Sequence, residues 1–452
     1  MAIGSTCVWE VRTTGSDTNG GGYTSGGTDW SQQDAAQYSV TDGVTAGTTT
    51  ITSATASFGT DVVGNVMYVQ GGTGAVTAGW YQIISRTDAT TIVVDRSTGL
   101  TAGTGVTLKI GGALASPGVA ASVIVAGNTM YIKSGTYTIS STTANVANGR
   151  VSISLGQGSS TPTTIKGYGT TREDFGTAPL LQAASPFASQ TILTSLGNHA
   201  RVENLNIDGA SLTSTTGISV NGINSSIHRI QVRNTTATGI SAVLATYCYA
   251  TGCSGTAAIN AKTAYRCVAI SNSITGFSST DDGQRYQCIS ASNTGGSSHG
   301  FNQSAGGSVC VNCLAYGNGG NGLNAGALRG GIFVNCISYG NTGWGLAGSN
   351  SGWTINKCAF GSNTSGAIQA ASTIQIDNIT LTADPFVAAG SANFALNATA
   401  GGGALLRDLG LDFPLSGFTT TTGYMAVGPV ETATSSGSGG IPIARGMHGG
   451  MR

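Results

Sequence analysis

The sequence predicts an all-β chain in which a stacked solenoid of short parallel strands follows a small antiparallel β domain. Three observations support this fold class. A Cys-x4-Asn pattern recurs between residues 248 and 363 with a period of about 20 residues. Gly accounts for 71 of 452 residues, and only 8% of residues are charged. Residues 1–112 instead show short strand-like runs separated by Gly-rich breaks.

The repeat consists of Cys, four residues, Asn, a short gap, and Gly followed by an apolar residue. Successive copies start 19, 21, 25, 23 and 22 residues apart, so the register is kept while the loops vary. Such spacing is typical of coils whose strands stack about 4.8 Å apart. In the first copy Cys253 takes the Asn position, and Arg229 with Asn234 keeps the spacing upstream. The predicted ladder residues are Cys248, Cys267, Cys288, Cys313, Cys336, Cys358, Asn272, Asn293, Asn318, Asn341 and Asn363.

The ladder thiols are predicted to pack inside the coil, because free Cys behaves as a small buried hydrophobe. At the rung spacing, neighbouring Cβ atoms would lie farther apart than a disulfide prefers, and nine Cys cannot all pair. Cys310 and Cys313 form a CxxC pair, but a second pair is missing nearby, which disfavours zinc. We expect no metal and no cofactor. The ladder Asn is predicted to take the left-handed turn conformation.

Residues 1–112 are predicted to form an N-terminal β domain that serves attachment or assembly. Its predicted antiparallel strands are residues 48–53, 66–70, 80–85 and 91–95. The stretches 48–72 and 79–97 resemble a module of tail and fibre proteins of bacterial viruses. Phe58, Asp61, Val62 and Gly64 match its F-x-x-x-D-V-G motif, except that Val63 intervenes.

Residues 126–137, AGNTMYIKSGTY, resemble the first-rung motif of right-handed parallel β-helix proteins of the pectin-lyase-like superfamily. Asn128 replaces the usual Asp of that motif. Residues 384–404 and 422–431 resemble the closing region of such proteins, although Met425 and Ala426 replace its usual Asp and Ile. The positions that match the first-rung motif are Gly127, Thr129, Tyr131, Ile132, Gly135, Thr136 and Tyr137.

This resemblance implies a right-handed parallel β-helix with rungs of about 19–25 residues. We expect the helix over residues 113–383, where the Ala-rich start forms a short cap that protects the open strand edges. Closing strands are expected over residues 384–431. Residues 432–452 are rich in Gly and Ser and are predicted to form a tail.

Members of that superfamily include polysaccharide hydrolases and lyases, which raises the question of catalysis. Asp281, Asp282 and His299 loosely echo the D-D and G-H-G motifs of polygalacturonases. Inverting hydrolysis requires two carboxyl groups about 6.5–9.5 Å apart. The upstream Asn-Thr-Asp of those enzymes is replaced here by Asn260-Ala261-Lys262, and Arg329-Gly330-Gly331 only loosely matches their downstream Arg-Ile-Lys. Gly300-Phe301 is moreover the repeat's own Gly-apolar step. Asp281, Asp282 and His299 are therefore weak catalytic candidates.

Composition narrows the function classes. Nineteen basic and nineteen acidic residues cancel, so the chain lacks the excess of positive charge that binds nucleic acid. No apolar run is long enough to span a membrane. The first residues, MAIGSTCVWEVR, contain no apolar stretch of signal-peptide length. We therefore expect synthesis in a host cytoplasm and assembly into a virion, with an extracellular or cell-surface location as the alternative.

The favoured hypothesis is a non-enzymatic virion structural protein: a phage fibre, a spike or a capsid decoration. Its low net charge favours a working state inside an assembly. The expected partners are other virion proteins and further copies of the chain, with a trimer favoured by resemblance to viral spikes; contact with host surface glycans is left open. One alternative is a carbohydrate-active β-helix enzyme, a hydrolase or a lyase. A third hypothesis is a bacterial surface or filament-forming adhesin.

Overall fold

The computed structural model describes residues 3–99, 101–153, 161–279, 282–303, 307–325, 330–348, 352–369 and 373–407. The chain divides into two compact units, residues 1–208 with 219–226 and residues 209–218 with 227–452. Almost all of the regular structure is β-strand. Across the described residues, no helix combines the length and the apolar character needed to cross a membrane.

The first unit contains sixteen strands, one 3-10 turn, η1 (Thr60–Val62), and one α-helix, α1 (Pro117–Val123), within the described residues. The strands are β1 (Val8–Val11), β2 (Gly22–Tyr23), β3 (Tyr38–Thr45), β4 (Thr50–Thr52), β5 (Val66–Gly71), β6 (Gly79–Asp88), β7 (Thr91–Val94), β8 (Gly103–Ile110), β9 (Thr129–Lys133), β10 (Thr136–Ile139), β11 (Ser141–Ala144), β12 (Gly149–Ile153), β13 (Thr163–Tyr168), β14 (Leu180–Ala183), β15 (Thr191–Ser195) and β16 (Ala200–Asp208).

Strands β3 to β8 close into a six-stranded antiparallel barrel in the order β3-β4-β7-β6-β5-β8. Alternate residues of these strands, such as Val106, Leu108 and Ile110, fill a buried core. The four predicted strands correspond to β4 to β7, whereas β3 and β8 were not predicted. Gly43 and Gly105 lie inside those two strands, and Gly normally signals a break. Pairing within the barrel overrides that local signal.

Parallel coils of the first unit begin earlier in the chain than the sequence predicts. β1 pairs in parallel with β9, and β9 pairs in parallel with β13, which pairs with β16. The stretch 126–137 is therefore the second layer of this sheet, because Val8–Val11 lies before it. Trp9 is fully buried there, and its Nε1 donates to Asn128 Oδ1 at 3.1 Å.

The predicted N-terminal cap is a helix of seven residues. α1 begins at Pro117, where a fixed φ and a missing N–H suit the first helical position. Pro and Gly usually interrupt a helix, but Pro117 and Gly118 stand at the start of this one. Val119, Ala120 and Ala121 are buried, and α1 packs against β12 and β1.

The second unit consists of coils of very short strands. Strands β17 and β18 lie mostly within it. Its strands are β17 (Thr216–Val220), β18 (Ser226–Arg233), β19 (Ile240–Thr246), β20 (Tyr249–Thr251), β21 (Ile259–Tyr265), β22 (Val268–Ile270), β23 (Phe277–Ser278), β24 (Gln284–Tyr286), β25 (Ile289–Ala291), β26 (Phe301–Gln303), β27 (Val309–Val311), β28 (Leu314–Tyr316), β29 (Leu323–Ala325), β30 (Ile332–Val334), β31 (Ile337–Tyr339), β32 (Trp344–Gly348), β33 (Trp353–Asn356), β34 (Ala359–Gly361), β35 (Gly366–Ile368), β36 (Thr373–Ile376), β37 (Ile379–Leu381), β38 (Phe386–Ala388) and β39 (Asn393–Leu396).

Three in-register parallel ladders build these coils. The first sheet contains β19, β21, β23, β26, β29, β32 and β35. The second contains β24, β27, β30, β33 and β36, which follow the end of β21. The third contains β18, β20, β22, β25, β28, β31, β34 and β37. The predicted fold class, an all-β right-handed parallel β-helix with a small antiparallel domain before it, is confirmed.

Two left-handed corners flank the third sheet in each coil. In the coil of Cys288, the residues with positive φ are Gln287, just before the Cys, and Ser292, just before Asn293. The prediction that the ladder Asn takes this conformation is wrong, because the residue before it does. Gly317 and Gly340 hold the equivalent corner in later coils, with φ of 58° and 68°.

The register predicted upstream of Cys248 is off by one residue. Gln231 pairs with Tyr249, so Arg229 aligns with Tyr247, the residue before Cys248. Asn234 likewise aligns with the corner residue Gly252 and itself has a φ of 53°. Arg229 and Asn234 are therefore corner residues, and Ile230 occupies the inward position that Cys takes in later coils.

A closing segment follows the last coil. The hairpin β38–β39 is joined by a 3-10 turn, η2 (Ala389–Ser391), and followed by a short helix, α2 (Gly403–Leu406). Phe386 and Phe394 pack edge-on against Tyr316, which faces outward on the third sheet. Residues 408–431 of the predicted closing strands and the predicted tail over 432–452 lie outside the described residues.

Candidate functional site

The structure does not bring the weak catalytic candidates together. Asp281 lies outside the described residues. Asp282 is exposed and follows the first-sheet strand β23, whereas His299 precedes the next strand of that sheet, β26. Because Phe277 pairs with Phe301, His299 aligns with Thr275, seven positions before Asp282 along the coil. Asp282 and His299 therefore flank opposite ends of the neighbouring strands β23 and β26.

His299 has an environment that keeps its ring fixed. Its Nδ1 accepts a hydrogen bond of 3.0 Å from the backbone N–H of Asn321. Burial lowers the pKa of His299, so the imidazole is neutral at pH 7. A proton on Nε2 then leaves His299 with one donor for an outside partner.

The ladder Asn side chains form one continuous hydrogen-bonded column inside the coil. Each Nδ2 donates to the Oδ1 of the Asn one coil further along, at 2.8 to 2.9 Å. Each Oδ1 also accepts from the backbone N–H of the preceding ladder Asn. The members of this column are Asn272, Asn293, Asn318, Asn341 and Asn363.

The Cys column runs parallel to the Asn column and is also internal. All nine cysteines are free and buried. The Sγ of Cys288 lies 3.5 and 3.4 Å from the carbonyl oxygens of Ala264 and Tyr286, and its single S–H can donate to either one. Gln303 Nε2 contacts Cys310 Sγ at 3.4 Å. Across the described part of the chain, no three His, Cys, Asp or Glu side chains are arranged to hold a metal ion.

We expect none of the nine thiols to react with a thiol reagent such as DTNB in the native protein at pH 8. Burial raises the pKa of ladder thiols such as Cys267 and Cys288. The folded pKa of these thiols lies above the unfolded value of about 8.5. The stability that the buried neutral thiols contribute to the fold is therefore present below that pH and is lost as the pH rises. Guanidinium should expose all nine thiols, and rapid labelling of any ladder Cys without denaturant would contradict the buried column.

Sequence analysis missed a buried arginine inside the second unit. Arg285 faces inward on β24 and has no exposed surface. Its guanidinium donates to the carbonyl oxygens of Lys262, Gln284 and Ser278 at 3.1, 2.9 and 2.7 Å. Burial lowers its pKa, and its Nε has no hydrogen-bond partner among the described residues. Carbonyl dipoles stabilise this charge at a position that Ala264 and Cys310 occupy in the neighbouring coils.

The first unit concentrates charge around Glu10, whose side chain is fully buried. Arg12 Nε and Arg172 Nε contact the two carboxylate oxygens of Glu10 at 3.0 and 2.8 Å. Tyr168 donates its hydroxyl to the same carboxylate, and Arg172 Nη1 also reaches Asp29 at 2.9 Å. These contacts anchor Arg172 within its own unit. We call Glu10, Arg12, Asp29, Tyr168 and Arg172 the Glu10 network.

A second charged group continues the column of Glu10, because Glu10 pairs with Tyr131. Tyr131, Lys166 and Glu203 occupy one column across β9, β13 and β16. Lys166 pairs with Glu173, and its Nζ lies 3.6 Å from Glu203. The hydrogen bond from Lys166 lowers the pKa of Glu173, and burial with the Glu173 hydrogen bond raises the pKa of Tyr131 to about 12. Lys166 is thus shared between the two carboxylates of Glu173 and Glu203.

The outward face of the first sheet in the second unit is polar, without a charged side chain in two adjacent columns. One column follows each inward apolar residue and contains Ser278, Asn302 and Asn324. The other precedes each Gly of the repeat and contains Thr275, His299, Asn321 and Trp344. All seven side chains are partly exposed. We call these seven residues the amide–indole face.

Hydrogen bonds between side chains hold the amide–indole face in place. Asn324 Nδ2 donates to Asn302 Oδ1 at 2.9 Å, and Asn321 Nδ2 donates to Asn324 Oδ1 at 3.1 Å. Asn321 Oδ1 accepts from the backbone N–H of Trp344 at 2.9 Å. A Cβ on Gly366 would lie 2.6 Å from the Trp344 ring, so the indole packs closely on that glycine. Fixed amides beside a partly exposed indole are suited to binding a ligand with hydroxyl groups and an apolar face.

No family model matches the chain, and a search of curated proteins found no match. Among solved structures, pectate lyase Pel9A is 15% identical with a TM-score of 0.47, covering 71% of this chain and 92% of the lyase. The periplasmic alginate epimerase AlgG is 10% identical with a TM-score of 0.33, covering 57% and 78%. The tailspike protein gp49 from Pseudomonas phage LKA1 is 12% identical with a TM-score of 0.24, covering 81% and 65%.

These likenesses are too distant to assign an activity. The architecture follows from the strand pairing itself, because three in-register parallel ladders recur from coil to coil. The chain is thus a right-handed parallel β-helix protein with a small antiparallel barrel near its N-terminus. That fold supports several unrelated functions, so function has to be argued from the sites.

Proposed function

We propose that this chain is a structural protein of a bacterial virus, a fibre, spike or capsid decoration, whose β-helix contacts host surface polysaccharide without cleaving it. The amide–indole face carries this proposal. Parallel coils repeat its polar side chains at the rung spacing of about 4.8 Å, and mutual hydrogen bonds fix Asn302, Asn321 and Asn324. A preordered surface loses little side-chain entropy on binding.

Further features support a place in a virion. Residues 48–72 and 79–97 resemble fibre modules of bacterial viruses, and both stretches lie in the barrel region of the first unit. Nineteen basic and nineteen acidic residues give no net charge, which lowers the repulsion between copies packed in an assembly. We therefore also propose a homo-oligomer, with a trimer favoured, and other virion proteins as its partners.

Binding and cleavage can be separated with intact surface polysaccharide from candidate host cells. We expect the purified chain to retain the polymer and to release no new reducing ends. Trp344→Ala should weaken retention about tenfold, because the indole supplies the apolar contact of the face. Thr354→Ala, a partly exposed position on the second sheet, serves as the matched control.

An enzyme would give the opposite result. If the wild-type chain releases oligosaccharides and Asp282→Asn abolishes that release, the chain is an enzyme and the proposal of a non-cleaving protein fails. Light scattering of the native protein tests the assembly independently. A monomer at micromolar concentration would contradict the proposed homo-oligomer.

A further inference from the structure

We infer that the amide–indole face takes an uncharged glycan whose chain runs along the coil axis, one sugar ring for each coil. This inference rests on the proposed function, since it specifies the ligand of the same face. Three properties of the described residues carry it: the absence of charge, the supply of hydrogen-bonding groups, and the spacing of the columns.

None of the seven side chains of the face is a cation that would attract an acidic sugar. Its described side chains are Ser, Thr, Asn, Trp and His, and His299 is kept neutral at pH 7 by partial burial. Recognition of carboxylate or sulfate groups normally uses Arg or Lys, which provide charge-assisted hydrogen bonds. Elsewhere in the second unit one cation does lie beside aromatic rings, since Arg266 lies over Tyr247 and Tyr265. The amide–indole face therefore favours hydroxyl groups over anionic groups.

The hydrogen-bonding groups of the face form a directed chain. Asn321 donates to Asn324, and Asn324 donates to Asn302. Among the described residues, the Nδ2 of Asn302 has no acceptor, although its Oδ1 is engaged. This amide nitrogen ends the chain as an available donor, polarised by the two bonds behind it. Each amide oxygen in the chain keeps a second lone pair that can accept from a sugar hydroxyl.

The spacing of the columns matches a polymer. The face spans four successive coils, represented by Thr275, His299, Asn321 and Trp344 in one column. Coils repeat about every 4.8 Å, a distance close to the length of one pyranose ring. A linear glycan along the axis can therefore repeat the same contact from coil to coil, with Trp344 stacking on the sugar at one end.

Affinity electrophoresis of the full chain through gels containing a single polysaccharide tests the ligand class. The uncharged probes are dextran, galactomannan and cellulose oligomers, and the acidic probes are polygalacturonate and alginate. We expect retardation by at least one uncharged probe, unchanged in 0.5 M NaCl because screening acts only on charges. Asn302→Ala and Trp344→Ala should each weaken it about tenfold, and Thr354→Ala should not. Affinity should stop rising at about four sugar units, one for each coil.

The outcomes distinguish this inference from the proposed function. Retardation only by acidic probes, abolished by salt, overturns the uncharged class but leaves a polysaccharide-binding protein. Retardation that Asn302→Ala and Trp344→Ala leave unchanged overturns the assignment of the face. Retardation by none of these probes, combined with no retention of intact host polysaccharide, overturns both. Far-ultraviolet circular dichroism of each variant confirms that the coil is folded.

Discussion

Glu10→Gln is expected to destabilise the first unit by about 3–5 kcal/mol, the usual cost of removing one partner from a buried ion pair. The carboxylate has no exposed surface and is contacted by Arg12 and Arg172 from two sides. The amide nitrogen of the Gln would face arginine donors, so at least one donor would lose its acceptor. Both guanidinium groups are themselves largely buried, with 13% and 15% exposure, and water cannot replace the lost charge.

Urea unfolding followed by tryptophan fluorescence measures this change, because Trp9, Trp30 and Trp80 all lie in the first unit. Asp34→Asn is the matched control. Asp34 also contacts Arg12, but at 3.4 Å and with a side chain that is 52% exposed. An exposed pair contributes about 0–1 kcal/mol. Equal losses for Glu10→Gln and Asp34→Asn would show that the Glu10 network does not stabilise the unit.

No local signal in the sequence reveals the Glu10 network. Glu10 and Arg172 are 162 positions apart, and each belongs to a segment that looks ordinary by itself. Only the pairing of β1 with β9, and of β9 with β13, brings them together. By contrast, the Cys and Asn columns are predictable, because one inward position per coil must be filled by a residue of similar size and polarity. That requirement produces a strict repeat in the sequence.

Two other features of the structure have recognisable patterns in the sequence. The corner before each ladder Asn is occupied by Ser or Gly, as in Ser271, Ser292 and Gly317. This small-residue position marks the left-handed residue better than the Asn does, because the Asn side chain is needed inside. The amide–indole face also follows the repeat, since Asn302 and Asn324 each come directly after the Gly-apolar step. A period-2 alternation places that position outward.

Asn318→Ala is expected to destabilise the second unit by about 3 kcal/mol, because it interrupts the internal amide column at its middle. Asn318 is fully buried. Its Oδ1 accepts from Asn293 Nδ2 at 2.8 Å, and its Nδ2 donates to Ser290 O and to Asn341 Oδ1 at 3.1 and 2.9 Å. Truncation leaves a donor on one side and acceptors on the other in a space without solvent, and each such group costs about 1–3 kcal/mol.

The matched control is Asn324→Ala, the same substitution one strand further on the outward side. Asn324 makes side-chain hydrogen bonds to Asn302 and Asn321 but is partly exposed, so water replaces them and the cost should stay below about 1 kcal/mol. Asn318→Asp tests the direction in which stability changes with pH. A buried carboxyl group has a raised pKa in the folded state, so its stability is present at low pH and is lost as the pH rises. If urea unfolding shows Asn318→Asp to be as stable at pH 7 as at pH 4, relative to wild type, the column is not the dry interior that its hydrogen bonds describe.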